Sequence, residues 1–265
     1  MQPTLLKYPR TQHLQGSRLQ PGDEDLDQIP LSSLRGAHLV IEEKMDGANC
    51  GLSFSPQGEL QLQSRGHYLT GGPRERHFAL LKTWAQTLAD PLYDAIGDRY
   101  VVYGEWLYAK HTVFYDALPH YFMEFDVYDR HEARFLCTRR RKALLGHLPL
   151  VPVHVLYEGP SPGAKELQRL IGPSRCKTAR WREALTEAAL HEGQDPAQVR
   201  AQTDDHDQME GLYLKWEADG QVQGRYKFVR ASFHAALAAS GSHWQRRPIL
   251  PNRLSPGIDL FNTQP

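Results

Sequence analysis

The chain is poor in cysteine and lysine, and the missing motifs narrow what it can be. Its three cysteines, Cys50, Cys137 and Cys176, lie far apart in 265 residues, with no C-x-x-C pair. That spacing argues against a zinc ribbon or a disulfide framework and for a reducing compartment, so a cytoplasmic protein is expected. No run of 18 apolar residues occurs, so no membrane span is expected. The first ten residues lack the apolar centre of a signal peptide. Neither G-x-G-x-x-G nor G-x-x-x-x-G-K-[ST] is present, which removes the Rossmann fingerprint and the P-loop as explanations. Net charge is also absent: 31 Lys and Arg balance 31 Asp and Glu. A polybasic coat is thereby excluded, although a local basic groove is not. Only nine of the 31 basic residues are lysines, so a lysine at a special position carries information.

What is present reads as a globular chain, 40% apolar and 23% charged. Residues 1–37 are rich in Pro, Gly, Gln and Asp and read as an extended lead-in. Strands are expected over 38–43, 48–55, 59–64, 100–108, 121–128, 151–156, 211–216 and 224–229. Pro56-Gln57-Gly58 and Asp219-Gly220 read as hairpin turns. Helices are expected over 74–89, 138–148 (with a hydroxyl cap), 163–171, 180–191, 196–202 and 231–239. Hairpin pairs, rather than strict strand–helix alternation, favour an α+β fold with antiparallel sheets.

Four segments carry chemistry. Lys44-Met45-Asp46-Gly47 follows a buried strand, and a lysine there can be a nucleophile if its amine loses its proton. Ser64-Arg65-Gly66 offers a guanidinium at a strand end. Gly104-Glu105-Trp106 sets a carboxylate in an aromatic strand, and Phe125 lies in Phe125-Asp126-Val127-Tyr128-Asp129. Glu210-Gly211-Leu212-Tyr213-Leu214-Lys215 precedes Arg225-Tyr226-Lys227, and alternation aims Lys215 and Lys227 at one face of their strands. Each segment alone is open to a plain reading as a turn, a core strand or a solvated edge.

In this order the segments resemble the covalent nucleotidyltransferase superfamily of ATP-dependent ligases and capping enzymes, over about residues 38–230. Gly104-Glu105-Trp106, His111 and the 121–129 segment look most like its RNA ligase branch. The resemblance implies two antiparallel sheets with flanking helices around an ATP pocket. It implies that Lys44 attacks the α-phosphate of ATP and holds AMP, and that Lys215 and Lys227 stabilise the charge on that phosphate. Two further lysines and a divalent cation would lower the pKa of Lys44. Glu43, Asp46, Gly47, Arg65, Glu105, Phe125 and Glu210 would contact the nucleotide, with Phe125 stacked on adenine. Asp46, Glu105 and Glu210 would serve Mg²⁺ or Mn²⁺. The family's K-x-K motif has Arg225 at its first position here, and a guanidinium can bind phosphate but cannot act as a small tunable amine.

The substrate so implied is RNA with 5′-phosphate and 3′-hydroxyl ends, sealed in RNA repair, with an end-healing kinase or phosphatase as a possible partner. Residues 231–265 read as a short helix and tail, with no OB barrel on either side of the catalytic domain. Arg139, Arg140, Arg230, Arg246 and Arg247 are the candidates for nucleic-acid backbone contacts in its place. Lys7 to His13 is dense in phosphate-binding types and reads as a substrate arm or an ordered tail. The competing readings are a DNA ligase, a capping guanylyltransferase and an inactive nucleotide-binding module.

Overall fold

A computed structural model describes residues 5–17, 19, 27–233 and 247–262. The strands in chain order are β1 (Gln12–Leu14), β2 (Gln28–Ile29), β3 (His38–Lys44), β4 (Ala48–Phe54), β5 (Leu60–Ser64) and β6 (Tyr100–Trp106). They continue with β7 (Phe122–Asp129), β8 (Arg134–Phe135), β9 (Val151–Pro152), β10 (Val155–Pro160), β11 (Gly211–Ala218) and β12 (Gln221–Val229). The helices are α1 (Ala79–Thr87), α2 (Ala89–Ile96), α3 (Thr138–Leu145), α4 (Ala164–Arg169), α5 (Trp181–His191) and α6 (Pro196–Ala201).

Two sheets form. One runs β10-β3-β11-β12-β1-β2, and the other runs β5-β4-β6-β7-β8 with β9 on β7. The apolar centre of β3 makes it an interior strand, with Leu39, Val40 and Ile41 buried. Its outer face packs Leu39 and Ile41 with Leu212, Leu214 and Phe228. The second sheet covers its outer face with α1 and α2, through Trp84, Trp106 and Phe122. Truncating a buried aromatic of this size costs about 3–5 kcal/mol. Between the sheets lie Met45, Tyr103, Met123, Phe125 and Val229, joined by Tyr8 from the lead-in. The nucleotidyltransferase-type α+β architecture expected from the motifs is thus observed.

Four local expectations need correction. The sheets are antiparallel in their centres only, because β1 joins β12, β2 joins β1 and β9 joins β7 in parallel. The lead-in therefore supplies two strands to the first sheet. The single strand expected over 151–156 divides into β9 and β10, so this segment passes from one sheet to the other. The helix expected over 74–89 begins as a 3-10 turn at Pro73–Phe78, becomes α1, and breaks at Leu88 before α2. Helix α3 has no hydroxyl cap: its N-cap is Cys137, and the Thr138 amide and hydroxyl both donate to Glu217, at 2.8 and 2.6 Å. A carboxylate at a helix N-terminus also opposes the helix dipole favourably. The helix expected over 231–239 lies mostly outside the described residues.

Candidate active site

The centre of the site follows from strand register. Gly211 of β11 pairs with Lys44 at the end of β3, so Glu210, just before β11, stands beside Lys44. Lys44 Nζ lies 2.7 Å from Glu210 Oε1, with the Lys44 side chain 20% exposed and the Glu210 side chain 1% exposed. Asn49 of β4 pairs with Glu105 of β6, which brings Glu105 to the same place from the other sheet. Glycine is required at two of these approaches. A Cβ on Gly47 would stand 2.7 Å from the Trp106 carbonyl and 2.9 Å from Glu105 Cγ, and one on Gly211 would collide with the Phe228 carbonyl.

The electrostatics around Lys44 are acidic. Burial alone pushes its pKa down, but Glu210, Glu105 and Asp46 outweigh burial and raise it. Among the protein's own groups these carboxylates prevail over the two neighbouring lysines, and Lys44 is held as an ammonium. Burial raises Glu105 to about 8, against Lys44 and with the help of Glu210 and Asp46. Burial likewise raises Glu210 to about 7, with Lys44 opposing.

A cleft of about 570 Å³ opens onto Lys44. That is room for a nucleotide-sized ligand. Of the expected residues, Glu43, Lys44, Gly47, Arg65, Glu105, Phe125 and Lys227 line it. Lys227 is opposite Tyr213 on β11 and beside His13 on β1, so three strands hold it. Arg65 sits on the exposed rim, 3.4 Å from the Pro9 carbonyl. Phe125 and Tyr213 form two aromatic walls, their ring centroids 6.2 Å apart and their planes at 43°.

Other expected contacts are directed elsewhere. Glu43 lines the cleft, but its side chain faces the opposite side of β3 from Lys44, and its carboxylate accepts from Ser174 Oγ at 2.5 Å. Asp46 Oδ2 accepts the backbone amides of Thr112 and Val113 at 2.7 and 2.6 Å. It fixes the turn after β3 against the segment after β6 instead of turning into the cleft. Lys215 lies on the predicted face but deeper, 1% exposed. Its ammonium sits 2.9 Å from Glu42, 3.3 Å from Asp126, and against the Phe125 carbonyl. In this arrangement its ammonium is engaged by two carboxylates and a carbonyl beneath the cleft wall.

Arg225 behaves similarly. Its Nε is 2.8 Å from Asp126 Oδ2 and its guanidinium lies 3.6 Å above the Phe135 ring. The basic run after Cys137 is not one surface. Arg141 is buried between Glu42 and Glu124, at 3.0 and 3.3 Å, and Arg140 pairs with Glu132 at 3.3 Å. Arg230 is buried against Asp204, and Arg247 is buried with its guanidinium near the His111 and Gln202 carbonyls. Arg141, Arg230 and Arg247 are thus buried within the fold, while Arg140 stays partly exposed. Arg139 is exposed, while Arg246 lies outside the described residues.

The expected trio of metal carboxylates is also reduced. Among the described residues no three His, Cys, Asp or Glu side chains converge into a metal-binding group. Glu105 and Glu210 remain, and one or two carboxylates completed by water and phosphate oxygens are the usual donor set for Mg²⁺. The donor chemistry therefore fits a hard divalent cation with two protein ligands rather than three. Sequence reading missed Glu42 and Tyr213, which line the cleft together with Tyr8 and Thr11 of the segment read as a substrate arm or an ordered tail. Strand alternation alone could have found Glu42 and Tyr213, which share a face with Lys44 and Lys215.

Comparison with known proteins gives a consistent picture. A family model described as RNA ligase matches residues 37–229. No curated protein sequence matches the chain. Among solved structures, a mutant of the Naegleria gruberi RNA ligase with ATP and Mn aligns at 16% identity, covering 88% of this chain with a TM-score of 0.54. A mutant of the same ligase with AMP and Mn aligns at 15% identity over 88% of this chain, with a TM-score of 0.54. The same ligase with PPi aligns at 16% identity over 87% of this chain, with a TM-score of 0.53. At these identities the likeness is one of fold, and the chain spans 58% of the length of each of these structures. Among the described residues no helix is long and apolar enough to cross a membrane.

Proposed function

The chain belongs to the RNA ligase family, and from that premise we propose that it is an ATP-dependent RNA ligase working through a lysyl-AMP intermediate. The observation that carries this reading is Lys44, whose amine opens into a nucleotide-sized cleft and is gripped at 2.7 Å by Glu210. Phe125 and Tyr213 are walls for a purine base, and Arg65, at the rim, is available to a phosphate or a ribose.

In the first step Lys44 Nζ bonds to the α-phosphorus of ATP while the bond to pyrophosphate breaks. Before that, Nζ must give up a proton, and Glu210 is the acceptor nearest to it. Lys227, on the cleft wall, adds positive charge for the crowded phosphate. A bound Mg²⁺ or Mn²⁺ would neutralise Glu105 and Glu210 and polarise the phosphate, lowering the pKa of Lys44. In the second step an oxygen of the RNA 5′-phosphate takes AMP, and the nitrogen–phosphorus bond breaks. In the third step a 3′-hydroxyl attacks the activated 5′-phosphate and AMP leaves. We assign the protein to RNA repair in the cytoplasm, downstream of an end-healing kinase or phosphatase.

The test is label transfer. The chain is incubated with α-labelled ATP or GTP and Mg²⁺ or Mn²⁺, then denatured and separated. An ATP-dependent labelled band is expected. A band with GTP alone would point to capping chemistry, and no band with either nucleotide would overturn the proposal. Faster sealing of nicks ending in a ribose than in a deoxyribose is expected; equal rates would favour the DNA ligase reading.

A further inference from the structure

The lead-in reaches the base end of the cleft, outside the residues matched by the family model, 37–229. Tyr8 is 5% exposed and lines the cleft together with Thr11. Its ring meets Phe125 edge-on, with centroids 5.3 Å apart and planes at 79°. It also packs on Tyr103 at 5.0 Å and Phe135 at 5.7 Å. Its hydroxyl donates to Asp126 Oδ2 at 2.6 Å and stands 2.5 Å from the Tyr213 hydroxyl.

The directions of these hydrogen bonds follow from charge. Lys215 and Arg225 outweigh burial and hold Asp126 down at about 2, so it is an ionised acceptor. Tyr8 must therefore give its proton to Asp126. Its oxygen is then left as the acceptor for the Tyr213 hydroxyl. The chain Arg225/Lys215–Asp126–Tyr8–Tyr213 fixes the Tyr213 wall, and the Tyr8 ring edge fixes the Phe125 wall. The backbone on either side of Tyr8 is tied to the second sheet. Gln63 Nε2 and the Tyr103 hydroxyl donate to the Leu6 carbonyl at 2.8 and 2.6 Å, and Arg65 reaches Pro9. At its other end the segment becomes β1, in the first sheet.

We infer that residues 5–14 are a working part of the nucleotide site, with Tyr8 as the positioning residue that sets the two aromatic walls for the base. This inference rests on the proposed use of ATP and adds a determinant from outside the matched domain. It also assigns Arg225, whose guanidinium anchors Asp126 and thereby Tyr8, a task its stacking on Phe135 supports.

The test separates binding from chemistry. Binding of α,β-methylene-ATP, which cannot transfer AMP, is measured by calorimetry on the full chain and on Tyr8→Phe, Tyr213→Phe and the double variant. Tyr8→Phe keeps the ring and removes the hydrogen bonds to Asp126 and from Tyr213, so about a tenfold rise in Kd is expected. The adenylation rate at saturating ATP is expected to change less than about twofold, because no group touching the phosphate is altered. Tyr213→Phe is expected to weaken binding similarly, and the double variant to be no weaker than the worse single, as members of one chain are not additive. Unchanged analogue binding by Tyr8→Phe, or additive losses in the double variant, would overturn the inference. Tyr8-dependent analogue binding without any labelled adduct would uphold it and overturn the ligase reading instead. No analogue binding by the unsubstituted chain would overturn both.

Discussion

Lys44 and Glu210 meet at 2.7 Å across the β3–β11 pairing, and this contact joins two motifs 166 positions apart in the chain. It keeps the amine charged and in place. The first prediction concerns that amine. Lys44→Ala and Lys44→Arg are both expected to form no labelled adduct, since a guanidinium carries no available lone pair. The circular dichroism melt of Lys44→Arg should stay close to that of the unsubstituted protein, while Lys44→Ala, which leaves buried Glu210 unpaired, should melt lower. An adduct retained by either variant would mean that another residue is the nucleophile.

The second prediction is a pH dependence. Glu105 is raised from its ordinary 4.5 to about 8. The folded chain thus keeps a proton that the unfolded chain releases between about pH 4.5 and 8, and stability falls as pH rises through that window. Glu105→Gln removes this loss. Its Tm is expected to exceed that of the unsubstituted protein by about 5 °C at pH 9, with the gap closing towards pH 5. A gap of the same size at both pH values would contradict the assignment.

Lys215 supplies the third. Its substitution by Met leaves Glu42 and Asp126 short of a buried countercharge, which costs about 3–5 kcal/mol. A lower Tm is expected, with adduct formed per folded molecule within a few-fold of normal at low temperature. A folded Lys215→Met chain unable to form adduct would return Lys215 to the phosphate.

Asp46 is the subject of the fourth. Asp46→Asn keeps an oxygen that can accept the Thr112 and Val113 amides, at a cost of about 1–2 kcal/mol. Adduct formation is expected to survive, with its Mg²⁺ requirement unchanged. Loss of adduct rescued by a higher Mg²⁺ concentration would mark Asp46 as a metal ligand.

Much of the site was legible because its motifs are local. Lys44, Glu105, Phe125, Glu210 and Lys227 each sit in or next to a short strand whose apolar residues announce it. The hairpin turn at 55–59 was equally plain: the Ser55 hydroxyl accepts the Gln57 and Glu59 amides, and Gly58 takes a φ of +80°. The split of 151–156 between two sheets was not legible, because two-residue strands carry no periodicity.

The sequence by itself determined the α+β class and most of the long strands, since strand periodicity is a property of neighbouring residues, and its motif order, through the family resemblance, pointed to Lys44. Only the tertiary structure decided which charges reach the cleft. Glu43 and Glu42 are adjacent, yet alternation sends one carboxylate to Ser174 and the other to Lys215. Arg140 and Arg141 are adjacent, yet one reaches Glu132 at the surface and the other two buried carboxylates. A side chain's ion-pair partners come from distant strands, and those partners settle whether its charge is spent inside the fold or left for a ligand. Tyr8 illustrates the same point, for nothing around it in sequence says that it ends between Phe125 and Asp126.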